Sequence, residues 1–482
     1  MSKMTLVIAS AEASPFVSTG GLGESVGTLV SSLASDAVDI FLFLPRYRSI
    51  NLQDFKAKKE KTALTVNPGV TSRTAALYVS NHIPGVKTVF IEHNELFDRE
   101  GIYGQDGMDY SDNCARFSFF SHAVISALPI LKIEPDILMC HDWHCALIPL
   151  LTKTIYTGLK QLESAKSVFT IHSMDYQGIF PATDIIWTGI GWDGYTDDNL
   201  KFKDSINLVK SAILWSDAVI TLSDNYAIEI CDNHENPLST LLYDKGVTGI
   251  ALGIDYDSFN PASDKLITTR FHVNDMVGKE SCKSALQRNA GLPLDSDKPL
   301  MSLFGPLTFS KGMKIFADAV GPALNQLDFQ CIVCGMGDLI IEQQFEYLKK
   351  IFPGKFSYIK NVDQKMFRTL IAGSDFFVIP STNEPYQLNT LYAARYGAVP
   401  LLTQRGSLKD NMSCWDSISE DGVCISTPHI DEFSINQLII SSIKTYSTPD
   451  FVSLQQNTMK IQYSIQKSAQ RFITLFKNLI NK

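Results

Sequence analysis

Five groups of residues in this 482-residue chain have the types and spacing to do chemistry, and each follows a short apolar run. The first is Ser18-Thr-Gly-Gly-Leu-Gly-Glu24. Its glycines permit positive φ and close approach of a ligand to the backbone. A helix starting there aims free N–H groups and the positive end of its dipole at whatever binds. Anion binding, phosphate above all, is the chemistry expected of Ser18, Gly20 and Gly21. No lysine or arginine sits in the turn, however, and Glu24 stands in the first helical turn. The second group, His141-Asp-Trp-His144, follows a run ending at Cys140. Two histidines three apart lack the further ligands zinc needs. Asp142 is expected as a hydrogen-bonding group at the edge of a site, with Trp143 packed beneath it. Thr170-Ile-His172 places a histidine at the end of another apolar run. Gly305-Pro-Leu-Thr-Phe-Ser-Lys311-Gly312 carries a lysine, either solvated in its turn or held as a point charge over a diphosphate. In Pro380-Ser-Thr-Asn-Glu384-Pro385, two prolines stiffen the loop around a carboxylate. It reads either as a fixed catalytic or sugar-binding group or as an exposed loop glutamate.

Two tempting motifs fail on spacing. Gly21-Leu-Gly23-Glu-Ser-Val-Gly27 places its last glycine one residue too late for the dinucleotide fingerprint, which disfavours a nicotinamide cofactor. Cys331 and Cys334 form a Cys-x-x-Cys, but within the strand-like Phe329–Gly335 residues three apart face opposite sides, so the sulfurs point away from each other.

The elements that must position these groups alternate strand-like and helical patterns, the mark of an α/β fold with parallel sheets. Strands are expected near residues 4–10, 38–44, 87–92, 136–140, 167–171 and 218–222. After a junction rich in turn residues at 246–261, further strands are expected at 299–304, 329–334, 375–379 and 398–403. Leu22, Val26, Leu29, Val30 and Leu33 give the helix after the first loop one apolar face. Residues 451–480 carry Leu454, Ile461, Ile465, Phe472, Phe476 and Leu479 at helical spacing. The expected division is therefore 1–246, 247–450 and a terminal helix at 451–482. Open α/β sheets bind ligands at the carboxyl ends of their strands, so a site between the two units is the natural expectation.

Bulk properties narrow the class. A formal charge of −9 argues against a nucleic-acid footprint. With 45% hydrophobic and 19% charged residues the composition is that of a soluble globular protein. No run in the sequence reads as a membrane span, and the apolar stretch ending at Glu12 is too brief for a secretory signal. Nine cysteines without regular spacing fit reduced thiols in a cytoplasm.

Taken in order, these segments resemble bacterial glycogen synthase and plant starch synthase over almost the whole chain. The likeness is carried by Ala9–Phe16, Phe97–Tyr103, Asp109–Phe117, His141–Leu147, Phe169–His172 and Tyr176-Gln-Gly178. It continues through Gly253-Ile-Asp255, Lys311-Gly312, Asp375-Phe-Phe, Pro380-Ser381, Glu384-Pro385 and Leu391–Gly397. The resemblance implies a GT-B fold of two facing Rossmann-like domains, with a C-terminal helix crossing back to the first. It implies transfer of glucose from ADP-glucose or UDP-glucose to the non-reducing end of an α-1,4-glucan, with retention and with no metal or cofactor. The first domain would take the acceptor and the second the nucleotide sugar. Glu384, His172 and Lys311 would be the catalytic set. Ser18, Gly20, Gly21, Glu24, Asp142, Tyr386, Gln387, Leu388 and Asn389 would line the donor site.

The chain also departs from the family pattern. Ser18 stands for its lysine, Glu24 for its aspartate, Leu252 for its asparagine and Pro306 for its arginine. Tyr386 and Gln387 replace a cysteine and a glycine, and Arg405-Gly-Ser-Leu408 replaces Thr-Gly-Gly-Leu. The cations that would stabilise a leaving diphosphate are thus reduced to Lys311, with Arg405 a candidate substitute. Alternatives to an active synthase are an impaired paralogue that binds glucan or a partner, and a transferase using another nucleotide sugar. Assembly of identical subunits is left open.

Overall fold

A computed structural model describes residues 3–35, 37–105, 107–386, 388–410 and 412–482. The chain divides into two compact units, Met1–Leu252 with Ile465–Lys482, and Gly253–Ser464.

The first unit is built on a mainly parallel sheet. Its principal strands are β1 (Met4–Ala9), β2 (Val38–Pro45), β3 (Arg73–Ser80), β4 (Val86–Glu92), β5 (Ile137–His141), β6 (Lys166–Ile171), β7 (Ala218–Thr221) and β8 (Val247–Gly249). Their order is β8-β7-β6-β5-β1-β2-β4-β3. Neighbours pair in parallel except at the antiparallel β3–β4 edge. Two short strands, Lys58–Lys59 and Leu64–Val66, extend that edge. Leu6, Val7, Ile8 and all of β5 are buried, as parallel strands covered on both faces must be. Because β1, β5 and β6 are adjacent and run the same way, the loops carrying Ser18–Glu24, His141-Asp142 and His172 leave one end of the sheet side by side.

Helix α1 (Gly21–Leu33) buries Leu22, Val26, Leu29, Val30 and Leu33, the apolar face read from the sequence. The helix Ile465–Ile480 packs against it and buries Ile465, Phe472, Phe476 and Leu479 along one stripe. The helix Asn113–Leu131 is apolar and long enough to cross a bilayer, contrary to the expectation of no such run. It is 72% buried over its most apolar window, and its Arg116 and His122 are fully buried, which makes it a core helix here.

The second unit repeats the plan. Strands β9 (Leu300–Phe304), β10 (Gln330–Cys334), β11 (Phe356–Ile359), β12 (Phe376–Ile379), β13 (Val399–Thr403) and β14 (Ile425–Thr427) form a parallel sheet in the order β11-β10-β9-β12-β13-β14. Its core is filled by Phe316, Val320, Phe345, Phe376 and Ile439. Cys331 and Cys334 are buried free thiols on β10. The adjacent strands β9, β12 and β13 bring the Lys311, Glu384 and Arg405 loops to one end.

All ten expected strands are present, but the expected boundaries need correction. Residues 247–249 form β8, which pairs with β7 and so belongs to the first unit. The stretch 451–480 is two helices broken at Lys460–Ser464. The earlier one, Asp450–Met459, places Phe451 and Leu454 in the second unit's core. Only Ile465–Ile480 returns to the first.

Candidate functional site

Each unit gathers the singled-out residues at the carboxyl end of its own sheet. In the first, Gly20 opens α1 from an extended conformation with no side-chain cap. Ser18 folds over the first turn and its Oγ donates to the Gly20 carbonyl at 3.0 Å. A Cβ at position 23 would lie 2.6 Å from Ser18 Cβ and Oγ, which is why Gly23 is required there. Glu24 is exposed and accepts a hydrogen bond from Ser14 Oγ at 2.9 Å, so its carboxylate serves the loop itself. Ser18 is exposed, and Gly20 and Gly21 half-exposed.

In the sequence, the residue that ties this loop down reads only as the end of an apolar run. Glu12, 2% exposed, accepts hydrogen bonds from Thr19 N at 2.5 Å, Thr19 Oγ1 at 2.9 Å and the Tyr103 hydroxyl at 2.5 Å. The available signal was its place just beyond a buried strand, inside Ala9–Phe16.

Beside it, Asp142 takes φ +55°, a left-handed conformation unusual for a residue with a side chain. Its Oδ1 accepts from the His172 backbone N–H at 2.7 Å. Burial, aided by the nearby Glu12 charge, pushes the Asp142 carboxyl up to about 7 against the pull of the His172 and Ser173 amides. Trp143 packs edge-on to Phe117 and Phe180. His144 meets the Trp143 ring at 4.1 Å and stacks on Tyr103 at 4.8 Å. His172 is buried and its Nε2 lies 2.8 Å from Nδ1 of His141. Desolvation lowers His172 to about 3 and His141 well below its ordinary value, so both rings are neutral near pH 7.

In the second unit, α2 (Met313–Gln326) starts from Gly312 at φ +66°. A Cβ there would lie 1.8 Å from the Pro380 carbonyl oxygen. The close approach presses the Lys311 turn onto the Glu384 loop. Thr382 N and Oγ1 both donate to Ser310 O, and Thr403 Oγ1 donates to Ser381 O. Lys311 Nζ thereby reaches Glu384 Oε2 at 2.9 Å, and Ser381 Oγ donates to the same oxygen at 2.7 Å. Glu384 is only 8% exposed, which excludes the solvated-loop reading. Lys311 is likewise engaged by a carboxylate rather than held as an uncommitted cation.

Arg405 follows β13, and Ser407, two residues on, donates its amide to the Glu384 carbonyl at 2.8 Å. Among the described residues the Arg405 guanidinium has no hydrogen bond or ion pair. Pro306 is exposed in the turn after β9. Tyr386 and Asn389 are half-buried, the latter in the first turn of the helix Leu388–Arg395. The Leu388 side chain is buried in the unit, which leaves its backbone amide as the group it can offer. Gln387 lies outside the described residues. No group of three or more His, Cys, Asp or Glu among the described residues could hold a metal ion.

Comparison with known proteins places this arrangement. Residues 5–244 match the family described as starch synthase catalytic domain, and residues 298–435 match glycosyl transferases group 1. Over 487 aligned residues the chain is 33% identical to a glycogen synthase of Elusimicrobium minutum, covering 99% of this chain and 100% of that one. A glycogen synthase of Clostridium botulinum is 32% identical, with 99% of each chain covered. Among solved structures, the catalytic domain of starch synthase IV from Arabidopsis thaliana, bound to ADP and acarbose, superposes with a TM-score of 0.90 at 27% identity, covering 100% of both chains.

Proposed function

This chain belongs to the glycogen and starch synthase family of GT-B glycosyltransferases, and we propose that it transfers glucose from ADP-glucose or UDP-glucose to the non-reducing end of an α-1,4-glucan with retention. The observation that carries the reading to the residues is Glu384. It is a buried carboxylate fixed at a strand's end by Ser381 and Lys311, suited to accept hydrogen bonds from sugar hydroxyls. Donor hydroxyls would take over part of the role Lys311 now plays for Glu384, and the diphosphate would take up the lysine's charge. Such an exchange keeps both groups paired before and after binding, which buried charges demand.

In the first unit, the neutral His172 would contact the donor glucose. Ser18, Gly20 and Gly21 would present the α1 N-terminus to the nucleotide sugar, with Glu24 and Asp142 at the rim. Tyr386, Gln387, Leu388 and Asn389 would complete the donor side in the second unit. The resident chemistry needs no metal or cofactor, and the expected compartment is the cytoplasm.

Transfer of labelled glucose to glycogen from each donor tests the proposal. Turnover that is abolished in Glu384→Ala supports it, and no turnover with either donor overturns it. One observation favours a second reading, a glucan-binding paralogue with impaired transfer: Ser18 and Pro306 supply no cation where the family pattern has one. Preorganised cations at a developing charge are each worth roughly 10²–10³ in rate. Calorimetry separates the two readings, since glucan binding without ADP binding selects the impaired one.

A further inference from the structure

The helix after β10, α3 (Leu339–Ile351), carries more apolar surface than its own unit uses. One face buries Ile341, Phe345 and Leu348 against α2 and β11. A second stripe of Ile340, Tyr347 and Ile351 recurs at i, i+7 and i+11, along a line about 100° around the helix from the first. Ile340 and Tyr347 are each 61% exposed, and Leu339, at the edge of the stripe, 71%. Exposed Met336 stands at its head, in a turn fixed by two backbone hydrogen bonds. Leu307 N–H donates to Met336 O at 2.9 Å, and Asp338 N–H donates to Leu307 O at 2.8 Å.

These five side chains present on the order of 500 Å² of apolar surface, the upper end of what a monomer leaves bare. With a rim of Gln343 and Lys350, the stripe approaches the ~800 Å² per partner of a standard stable interface. Its aliphatic side chains suit neither a sugar nor a phosphate. Glu342 and Glu346 balance Lys349 and Lys350, so the helix has no pull toward an anionic membrane. The same balance removes like-charge repulsion between copies of a chain whose formal charge is −9.

We propose that this stripe is the contact of a symmetric dimer, in which α3 of one copy packs antiparallel on α3 of a second. A two-fold axis between Gln343 and Gln344 sets Ile340 against the partner's Tyr347, and Tyr347 against the partner's Ile340. The same register brings Ile351 to the partner's Met336. Charge selects the antiparallel sense. The helix starts acidic at Asp338 and Glu342 and ends basic at Lys349 and Lys350, so antiparallel copies join unlike ends and parallel copies like ones. Glu342 is already paired with Lys360 at 3.0 Å, so Asp338 and the helix dipoles carry most of this preference.

Sedimentation velocity of the full chain over a concentration series tests the proposal. The expected wild-type species has twice the 53.5 kDa mass of one chain. Ile340→Glu and Tyr347→Lys are each expected to raise the dimer dissociation constant at least ~100-fold, with an unchanged melting transition of the monomer because both positions are exposed. Combining Ile340→Glu with Tyr347→Lys in one chain sets opposite charges across both contacts, and is expected to restore dimerisation. A parallel pair would instead set like charges together. A wild-type chain that stays monomeric up to its solubility limit overturns the proposal, whether or not a different protein covers the stripe. So does a dimer that Ile340→Glu leaves intact, or a double variant that remains monomeric.

Discussion

The two units place their key residues by the same rule, on loops after adjacent parallel strands, yet they manage charge in opposite ways. The first unit neutralises. Its His141 and His172 rings are uncharged, its Asp142 carboxyl is raised to about 7, and the Glu12 carboxylate accepts from two hydroxyls and an amide. The second keeps a separated pair of full charges, Lys311 and Glu384, at 2.9 Å under a glycine that permits the approach. A lattice of hydrogen bonds holds a shape, whereas an ion pair can trade partners. On the proposed reading, the first unit would present a fixed surface and the second would respond to what binds.

The largest expected effect breaks the second unit's side of the comparison. Glu384→Ala should lower glucose incorporation at least ~10²–10³-fold, because it removes the carboxylate proposed to accept hydrogen bonds from the donor sugar and leaves Lys311 without its partner. Glu384→Gln at comparable activity would show that the charge is dispensable. Next, Gly312→Ala forces a Cβ against the Pro380 carbonyl at positive φ, and should destabilise the chain by about 3 kcal/mol in denaturant unfolding. An undisturbed midpoint would mean the two loops are not pressed together.

Asp142→Asn tests the neutralised side. The folded carboxyl has a raised value, so the stability it contributes is fully present below its unfolded value near 4 and is lost as pH rises toward 7. The variant should gain on wild type between pH 4 and pH 8, by on the order of 2 kcal/mol once solvent access to this half-buried residue is allowed for. Melting curves at both ends of that range give the sign, and a gain that instead grows toward acid would reverse it. Smallest is Thr19→Val. It removes one of the three hydrogen bonds to Glu12 and should cost about 1 kcal/mol in thermal or denaturant unfolding.

Much of this was legible before the structure. The strand positions followed from apolar runs, since parallel strands covered on both faces cannot be polar. The α1 face followed from its spacing. Strand β8 escaped because Val247-Thr-Gly249 is short and ends in glycine, a pattern that reads as a turn. The terminal pattern reads as one helix because apolar spacing continues across Lys460–Ser464, whereas the two halves bury their faces in different cores. Glu12 was missed for a related reason: a buried carboxylate is indistinguishable in sequence from an exposed one until its three donors, 7 and 91 residues away, are brought to it. The Lys311–Glu384 pair hid similarly, being made by loops 73 residues apart.

The return of Ile465–Ile480 to the first unit has a consequence for how the chain is made. The second unit is an insertion whose ends are held together, with Ile254 N–H donating to Tyr463 O at 2.9 Å. During synthesis it can close as soon as residue 464 clears the ribosome, while the first unit waits with one face of α1 uncovered until the last helix arrives. The portion made first is therefore the portion finished last. A stop codon near residue 464 would spare the later-made unit and cripple the earlier one.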